Sequence, residues 1–182
     1  MLQNNYKIKI IQSLLKSENH IRGLAKVLNT NQTPIARKAH EMAKGNIVDF
    51  KQEGRNKVVF LKKTLEAKQY VFSVEAEKLI ETLKRYPHLR RTIESIKKNN
   101  KINLAILFGS YAKRAITKNS DIDIYIDTTD KKIKEKVELI DSKISVKIGK
   151  YDKNSLLIKE IEKNHVIIKG IETYYEKNKF FD

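Results

Sequence analysis

The 182-residue chain has no cysteine and no tryptophan, and only 2 prolines and 6 glycines. Without cysteine, neither a disulfide framework nor a thiolate metal centre can form. So little proline and glycine leaves no low-complexity tract, and no internal repeat is visible. No apolar run approaches the length of a membrane-spanning helix, and the opening MLQNNYKIKI lacks the apolar core of a signal peptide. These absences predict a soluble, cytoplasmic protein with no membrane partner.

Acidic residues are also scarce, 22 against 38 basic ones, for a net charge of +16. The excess is spread along the chain, with 13 basic and 4 acidic residues in 1–65 and 25 and 18 in 66–182. Such a balance suits a polyanionic partner, but it is equally the mark of adaptation for solubility or growth temperature. Patterning has to decide. The length suits one domain or two small ones, each with a modest core.

Apolar spacing predicts three helices at the start. Ile8, Ile11, Leu14 and Leu15 predict a helix over 4–16. A second runs from His20 to Leu28, with Asn19 as N-cap and Ile21, Leu24, Val27 and Leu28 as its buried stripe. A third covers Gln32 to Lys44, tolerates Pro34 in its first turn, turns Ile35, Ala39 and Met42 inward, and ends at Gly45. Its other face carries Gln32, Thr33, Arg37 and Lys38. The segment NIVDFKQEGRNKVVFLKK then reads as a two-stranded hairpin around Gly54.

Helices at this spacing followed by a basic hairpin resemble a winged helix-turn-helix over residues 1–64. The resemblance implies that the third helix enters the major groove of duplex DNA, with Gln32, Thr33, Arg37 and Lys38 at the bases or backbone, and Arg55 and Lys57 of the wing on phosphates. A winged helix used for protein contact is the alternative.

Residues 65–100 are expected to link two domains through helices. Ala76, Leu79, Ile80 and Leu83 have helical spacing, Pro87 breaks the pattern, and Leu89, Ile93 and Ile96 mark a further short helix. Tyr70, Phe72 and Val74 are too mixed to assign. The Arg90-Arg91 pair reads as a solvated helix face.

The stretch from Ile102 to Phe108 is a nearly continuous apolar run, the mark of a strand covered on both sides, and it ends at Gly109-Ser110. Glycine lets the backbone approach a ligand, and the serine hydroxyl with its neighbouring N–H groups can hold phosphate oxygens. Ten residues on, SDIDIYI alternates, sending Asp121, Asp123, Tyr125 and Asp127 to one face and Ile122, Ile124 and Ile126 to the core. Two carboxylates two apart on a strand lie roughly 7 Å apart at Cα, within reach of bridging magnesium ions.

This order of a buried strand, Gly-Ser and D-x-D resembles the nucleotidyltransferase fold of DNA polymerase beta over roughly 101–170. It is most similar to the small minimal nucleotidyltransferases of prokaryotic, and within them archaeal, type. The resemblance implies that Gly109, Ser110 and Lys113 grip the phosphates of a nucleoside triphosphate and that Asp121 and Asp123, the catalytic pair, ligate magnesium or manganese. Two departures stand out: Arg114 replaces a customary glycine, and the next strand, Ile144 to Ile148, offers Ser145 and Lys147 where the family places a third carboxylate. Asp127 lies roughly 13 Å beyond Asp123 along its strand. Asp141 and Asp152 would reach the site only in another register, and Lys147 is placed to pair with Asp123.

The remaining elements are a helix over 131–142, a helix over 153–164, an edge strand at Val166-Ile168, and an aromatic tail with Tyr174, Tyr175, Phe180 and Phe181 that packs on the core or meets a partner. The expected fold is thus a two-domain α+β or α/β protein: winged helix 1–64, helical linker 65–100, and a nucleotidyltransferase domain 101–182 with a mixed sheet flanked by helices. Two functions follow from the resemblance. One is an enzyme that moves a nucleoside monophosphate, AMP first, onto an acceptor hydroxyl, in the manner of antitoxins that modify HEPN-type toxins. The other is a catalytically silent, DNA-binding transcriptional regulator that senses a nucleotide, with a homodimer as a possible assembly for either.

Overall fold

The computed structural model describes residues 6–182. The expected start of the first helix at residue 4 lies outside the described residues. The described residues divide into two compact units, residues 6–74 with 181–182, and residues 75–180.

In the first unit α1 (Tyr6–Leu14) buries Ile10, Ile11 and Leu14. It is followed by β1 (Asn19–His20), α2 (Ile21–Val27), α3 (Gln32–Lys44), β2 (Val48–Glu53) and β3 (Asn56–Leu61). Three helices and a hairpin in this order have winged-helix topology. The hairpin turns on Gly54 and Arg55, with Glu53 opposite Asn56 and Gly54 at φ +58°. That two-residue turn needs a left-handed backbone, which glycine adopts without steric cost.

Three expectations change. The sheet has three strands, β1-β3-β2, because Asn19 and His20 pair with Val59 and Val58. The cap of α2 is His20, whose Nδ1 accepts from the Gly23 N–H at 3.0 Å, and Asn19 belongs to the strand before it. Val27 is 63% exposed while Leu24 and Ala25 are buried. At about 100° per residue, Val27 sits roughly 110° from the centre of the stripe formed by 21, 24, 25 and 28.

The boundary between the units falls inside α4 (Leu65–Arg85), a single helix of 21 residues. Tyr70, Phe72 and Val74, which sequence pattern left unassigned, lie within it. Ile80 is solvent-exposed, and the buried positions are Ala67, Val71, Val74, Glu75, Leu79 and Thr82. Glu75 is fully buried, with Tyr175 donating its hydroxyl to it and Lys78 ion-paired to it, each at 2.8 Å. Pro87 ends the pattern with one 3-10 turn, Pro87–Leu89, and α5 follows over Arg90–Lys98.

The second unit is built on a four-stranded sheet in the order β6-β5-β4-β7. Its elements are β4 (Ala105–Leu107), α6 (Gly109–Lys113), β5 (Ile122–Asp127), α7 (Lys131–Glu138), β6 (Ile144–Gly149), α8 (Leu156–Lys163), β7 (Val166–Lys169) and α9 (Ile171–Lys177). β4 is antiparallel to both neighbours, and β5 runs parallel to β6. One face packs Ile122, Ile124, Ile126, Ile144 and Val146 against Ile93 and Ile96 of α5 and Ile133 and Val137 of α7. Alternation sends Asp123, Tyr125, Ser145 and Lys147 to the opposite face. There Tyr125 is buried, its hydroxyl donating to the Gly149 carbonyl at 2.8 Å, and Tyr125, Tyr151, Tyr174 and Tyr175 stack edge to face in sequence. The aromatic tail residues Tyr174 and Tyr175 are therefore core, and the same strand face is accessible at Asp121, Asp123, Ser145 and Lys147.

Candidate functional site

β4 delivers the chain to Gly109, the first residue of α6, at φ +66°. A Cβ placed there would lie 2.2 Å from Asp123 Oδ2. The loop after β4 and the second carboxylate of D-x-D are thus in direct contact, and a backbone hydrogen bond from Phe108 N–H to the Asp123 carbonyl, 3.0 Å, holds them there. Ser110 is half-buried beside Gly109, and Asp121 is exposed at the mouth. The structure brings Gly109, Ser110, Asp121 and Asp123 to one end of the sheet.

Lys113 closes α6 and is engaged by Glu160 of α8 at 2.5 Å, so any phosphate it served would compete with that carboxylate. Arg114 is at φ +58°, the left-handed residue that ends α6, and it ion-pairs with Glu81. The customary glycine of this position fits that backbone. Arginine takes it at a cost of about 1 kcal/mol and uses its side chain to tie the loop to α4. Neither Glu160 nor Glu81 carried a sequence signal, being 47 and 33 residues away from its partner.

Across from Asp123, in register on the parallel strand β6, stands Ser145; Lys147 pairs with Tyr125. The third wall carries no carboxylate. Asp127 is held by Lys177 at 2.9 Å and by the Tyr151 N–H. Asp141 and Asp152 accept from the N–H groups of Lys143 and Asn154, each closing its own turn. Among the described residues, no group of three His, Cys, Asp or Glu is placed to hold a metal ion. The pair Asp121 and Asp123 fits a single hard cation that takes its other ligands from phosphate oxygens and water, the ordinary way proteins hold magnesium.

Burial pushes the Asp123 carboxyl up from the usual range, the charge of Asp121 adds to the rise, and Lys147 and Lys113 oppose it. No ion pair joins Lys147 to Asp123; the lysine acts on it at longer range. An acid whose folded-state pKa is raised favours folding below its unfolded value of 3.8 and loses that contribution as pH rises through the folded value. At neutral pH the raised pKa of Asp123 therefore counts against folding. Asp123→Asn is expected to raise the melting temperature at pH 7 by about 1–2 °C, with the gain shrinking toward pH 4; a lower melting temperature at pH 7 would contradict the repulsion.

In the first unit, Gln32 and Thr33 occupy the exposed first turn of α3, and Arg37 is exposed one turn on. Lys38 is ion-paired to Glu41 at 2.5 Å. In the wing, Arg55 is exposed at the tip, Lys57 lies 4.6 Å over the Phe50 ring, and Lys51 is shared by Glu18 and Glu53. Among the described residues Arg37, Arg55 and Lys57 carry no ion pair, and Lys57 is engaged only by the Phe50 ring. No helix among the described residues is long and apolar enough to cross a membrane.

The family model described as Polymerase beta, Nucleotidyltransferase matches residues 90–178. No curated protein matches the chain. Among solved structures, it is similar to a homodimeric winged helix-turn-helix DNA-binding domain from Mycobacterium bovis, described as a possible ArsR-family transcriptional regulator, with 20% identity over 44% of this chain and 75% of that one and a TM-score of 0.38. It is similar also to reduced HlyU from Vibrio cholerae, with 17% identity, 38% and 73% coverage and a TM-score of 0.35. A third is the adhesin competence repressor AdcR of Streptococcus pyogenes, at 22% identity, 48% and 66% coverage and a TM-score of 0.40. The reading of the first unit rests on its own topology, helix by helix and strand by strand.

Proposed function

Since residues 90–178 form a domain of the polymerase beta nucleotidyltransferase family, we propose that this protein binds duplex DNA with its winged helix and holds a nucleoside triphosphate at Gly109, Ser110, Asp121 and Asp123. The reaction is transfer of the nucleoside monophosphate, AMP in the first instance, to an acceptor hydroxyl. The acceptor oxygen bonds to the α-phosphorus, the bond from that phosphorus to the bridging oxygen breaks, pyrophosphate leaves, and the hydroxyl proton passes to solvent. A bound magnesium or manganese ion supplies charge neutralisation of the triphosphate. Gly109 lets the phosphate loop close on Asp123, and Asp121 and Asp123 hold the cation side of the nucleotide. A HEPN-type toxin or another protein supplies the acceptor, and the protein works in the cytoplasm, alone or as a homodimer.

The observation that supports this reading is the direct packing of Gly109 on the Asp123 carboxylate, which sets the loop after β4 against the acidic pair. The test is incubation with α-labelled nucleoside triphosphates, magnesium or manganese and cell lysate, beside Asp121→Asn/Asp123→Asn. Label moved by the parent and not by the variant supports transfer. A second reading, a silent regulator that binds DNA and senses a nucleotide, is favoured by Ser145 standing where the third carboxylate belongs. It is the outcome if magnesium-nucleotide binds and no label moves.

DNA binding has its own test. Arg37→Ala is expected to weaken duplex binding several-fold and flatten its salt dependence by about one unit of slope. Lys38→Ala should do less, because Glu41 already neutralises that lysine. Equal effects, or none, in fluorescence anisotropy would remove α3 from the interface.

A further inference from the structure

The helices α5 and α7 pack against one another on the sheet face opposite Asp123, burying Ile93 and Ile96, and Ile133 and Val137. Their outer surfaces are strongly basic. Arg91 and Lys98 of α5, and Lys131, Lys132 and Lys136 of α7, are exposed and make no ion pair, and Lys101 follows α5 at once. The acids of the two helices are Glu94, Glu135 and Glu138, and of these only Glu138 is ion-paired, to Lys134. A surface selected for heat resistance would thread such charges into ion-pair networks. Here Glu94 stands between Arg91 and Lys98 with neither engaged, and Lys132 and Lys136 repel one another at i, i+4.

We propose that the α5–α7 face is a second polyanion site, one that binds the phosphate backbone of double-stranded DNA without reading sequence. The inference stands on these two helices alone and does not require the winged-helix reading. Arg91 and Lys98 are seven residues apart on a rigid helix, about 10 Å, a fixed spacing that suits the regular phosphates of a duplex. Single-stranded nucleic acid is gripped by aromatic platforms, and neither α5 nor α7 has an aromatic residue. Nor do these helices offer the Asn and Gln side chains that read adenine edges. Charge without hydrogen-bonding amides or stacking surfaces gives affinity without specificity.

The test uses the full chain and a random-sequence duplex in anisotropy titrations from 50 to 200 mM salt. Arg91→Ala/Lys98→Ala/Lys132→Ala/Lys136→Ala is expected to lose about tenfold or more in affinity, with the slope of log K against log salt shallower by about 3. A control of equal charge change, Lys84→Ala/Lys159→Ala/Lys163→Ala/Lys179→Ala, removes exposed lysines elsewhere in the same unit and should keep most of the parental slope. Circular dichroism and melting of both variants establish that they are folded. All substituted side chains are solvent-exposed, and a single charge reversal, Lys98→Glu, serves if the quadruple variant does not fold. The proposal is overturned if the folded variant keeps the parental slope, if the control loses as much, or if the parent binds no duplex. Loss confined to single-stranded RNA would overturn it too, making the face an RNA site.

Discussion

Replacing Ser145 with aspartate is expected to tighten manganese binding to the second unit by about tenfold or more. β5 and β6 are parallel and in register, with Asp123 opposite Ser145. Paired residues of neighbouring strands share a face, so the new carboxylate would lie beside Asp123 and complete a three-acid wall. A unit charge about 4 Å from a divalent cation contributes several kcal/mol before desolvation and solvent screening reduce it, and tenfold is a conservative remainder. Without metal the same substitution crowds three negative charges together and should lower the melting temperature. Saturating manganese should restore it, because a ligand that binds only the folded state stabilises it by mass action. Calorimetric titration of Ser145→Asp beside Ser145→Asn separates charge from shape. Where nucleotide transfer by the parent is weak or absent, the aspartate variant should gain it. Unchanged manganese affinity in a folded variant would mean that β6 does not form the third wall of the site.

Gly109→Ala should remove nucleotide binding altogether and cost about 2 kcal/mol of stability. Two penalties coincide there: the backbone is left-handed, and the added methyl would stand 2.2 Å from Asp123 Oδ2. Gly54→Ala is the matched control. Gly54 has a similar φ of +58° but nothing within 4 Å of its missing Cβ. It should cost about 1 kcal/mol from strain alone and leave nucleotide binding intact. Equal behaviour of the two variants toward nucleotide would detach the glycine–carboxylate contact from the site.

The Gly109, Ser110, Asp121 and Asp123 cluster was legible because its chemistry is written locally. The apolar run Ile102 to Phe108 marks the buried strand and Gly109-Ser110 its end, and alternation along SDIDI fixes which face the acids share. Helices α3, α5 and α7 were legible for the same reason, since their apolar residues recur at helical spacing over several turns. What sequence hid was short or distant. β1 is two residues long and has no period to read. The YVFSV stretch of α4 alternates like a strand, and only the burial of Ala67, Val71 and Val74 along one helical stripe reveals its state. Val27 looked like a member of the α2 stripe because hydrophobicity marks a residue type and not an angle. The ion pairs of Lys113 with Glu160 and Arg114 with Glu81 join elements brought together by the fold, so local pattern carries no trace of them. Asn19 looked like a helix cap by residue type, but its place in a strand passes that role to His20.

β6 is an outer strand of its sheet, paired with β5 on one side only. Its outer edge has no strand partner and would be open to an extended chain, although the Val146 N–H already donates to Glu138 Oε1 at 3.0 Å. Lys143, Lys147 and Lys150 stand along that edge, all exposed. Another β6 laid alongside would bring lysine against lysine, which opposes such pairing. Beyond any part Lys147 takes in tuning Asp123, its exposed charge therefore works against edge-to-edge pairing of this sheet.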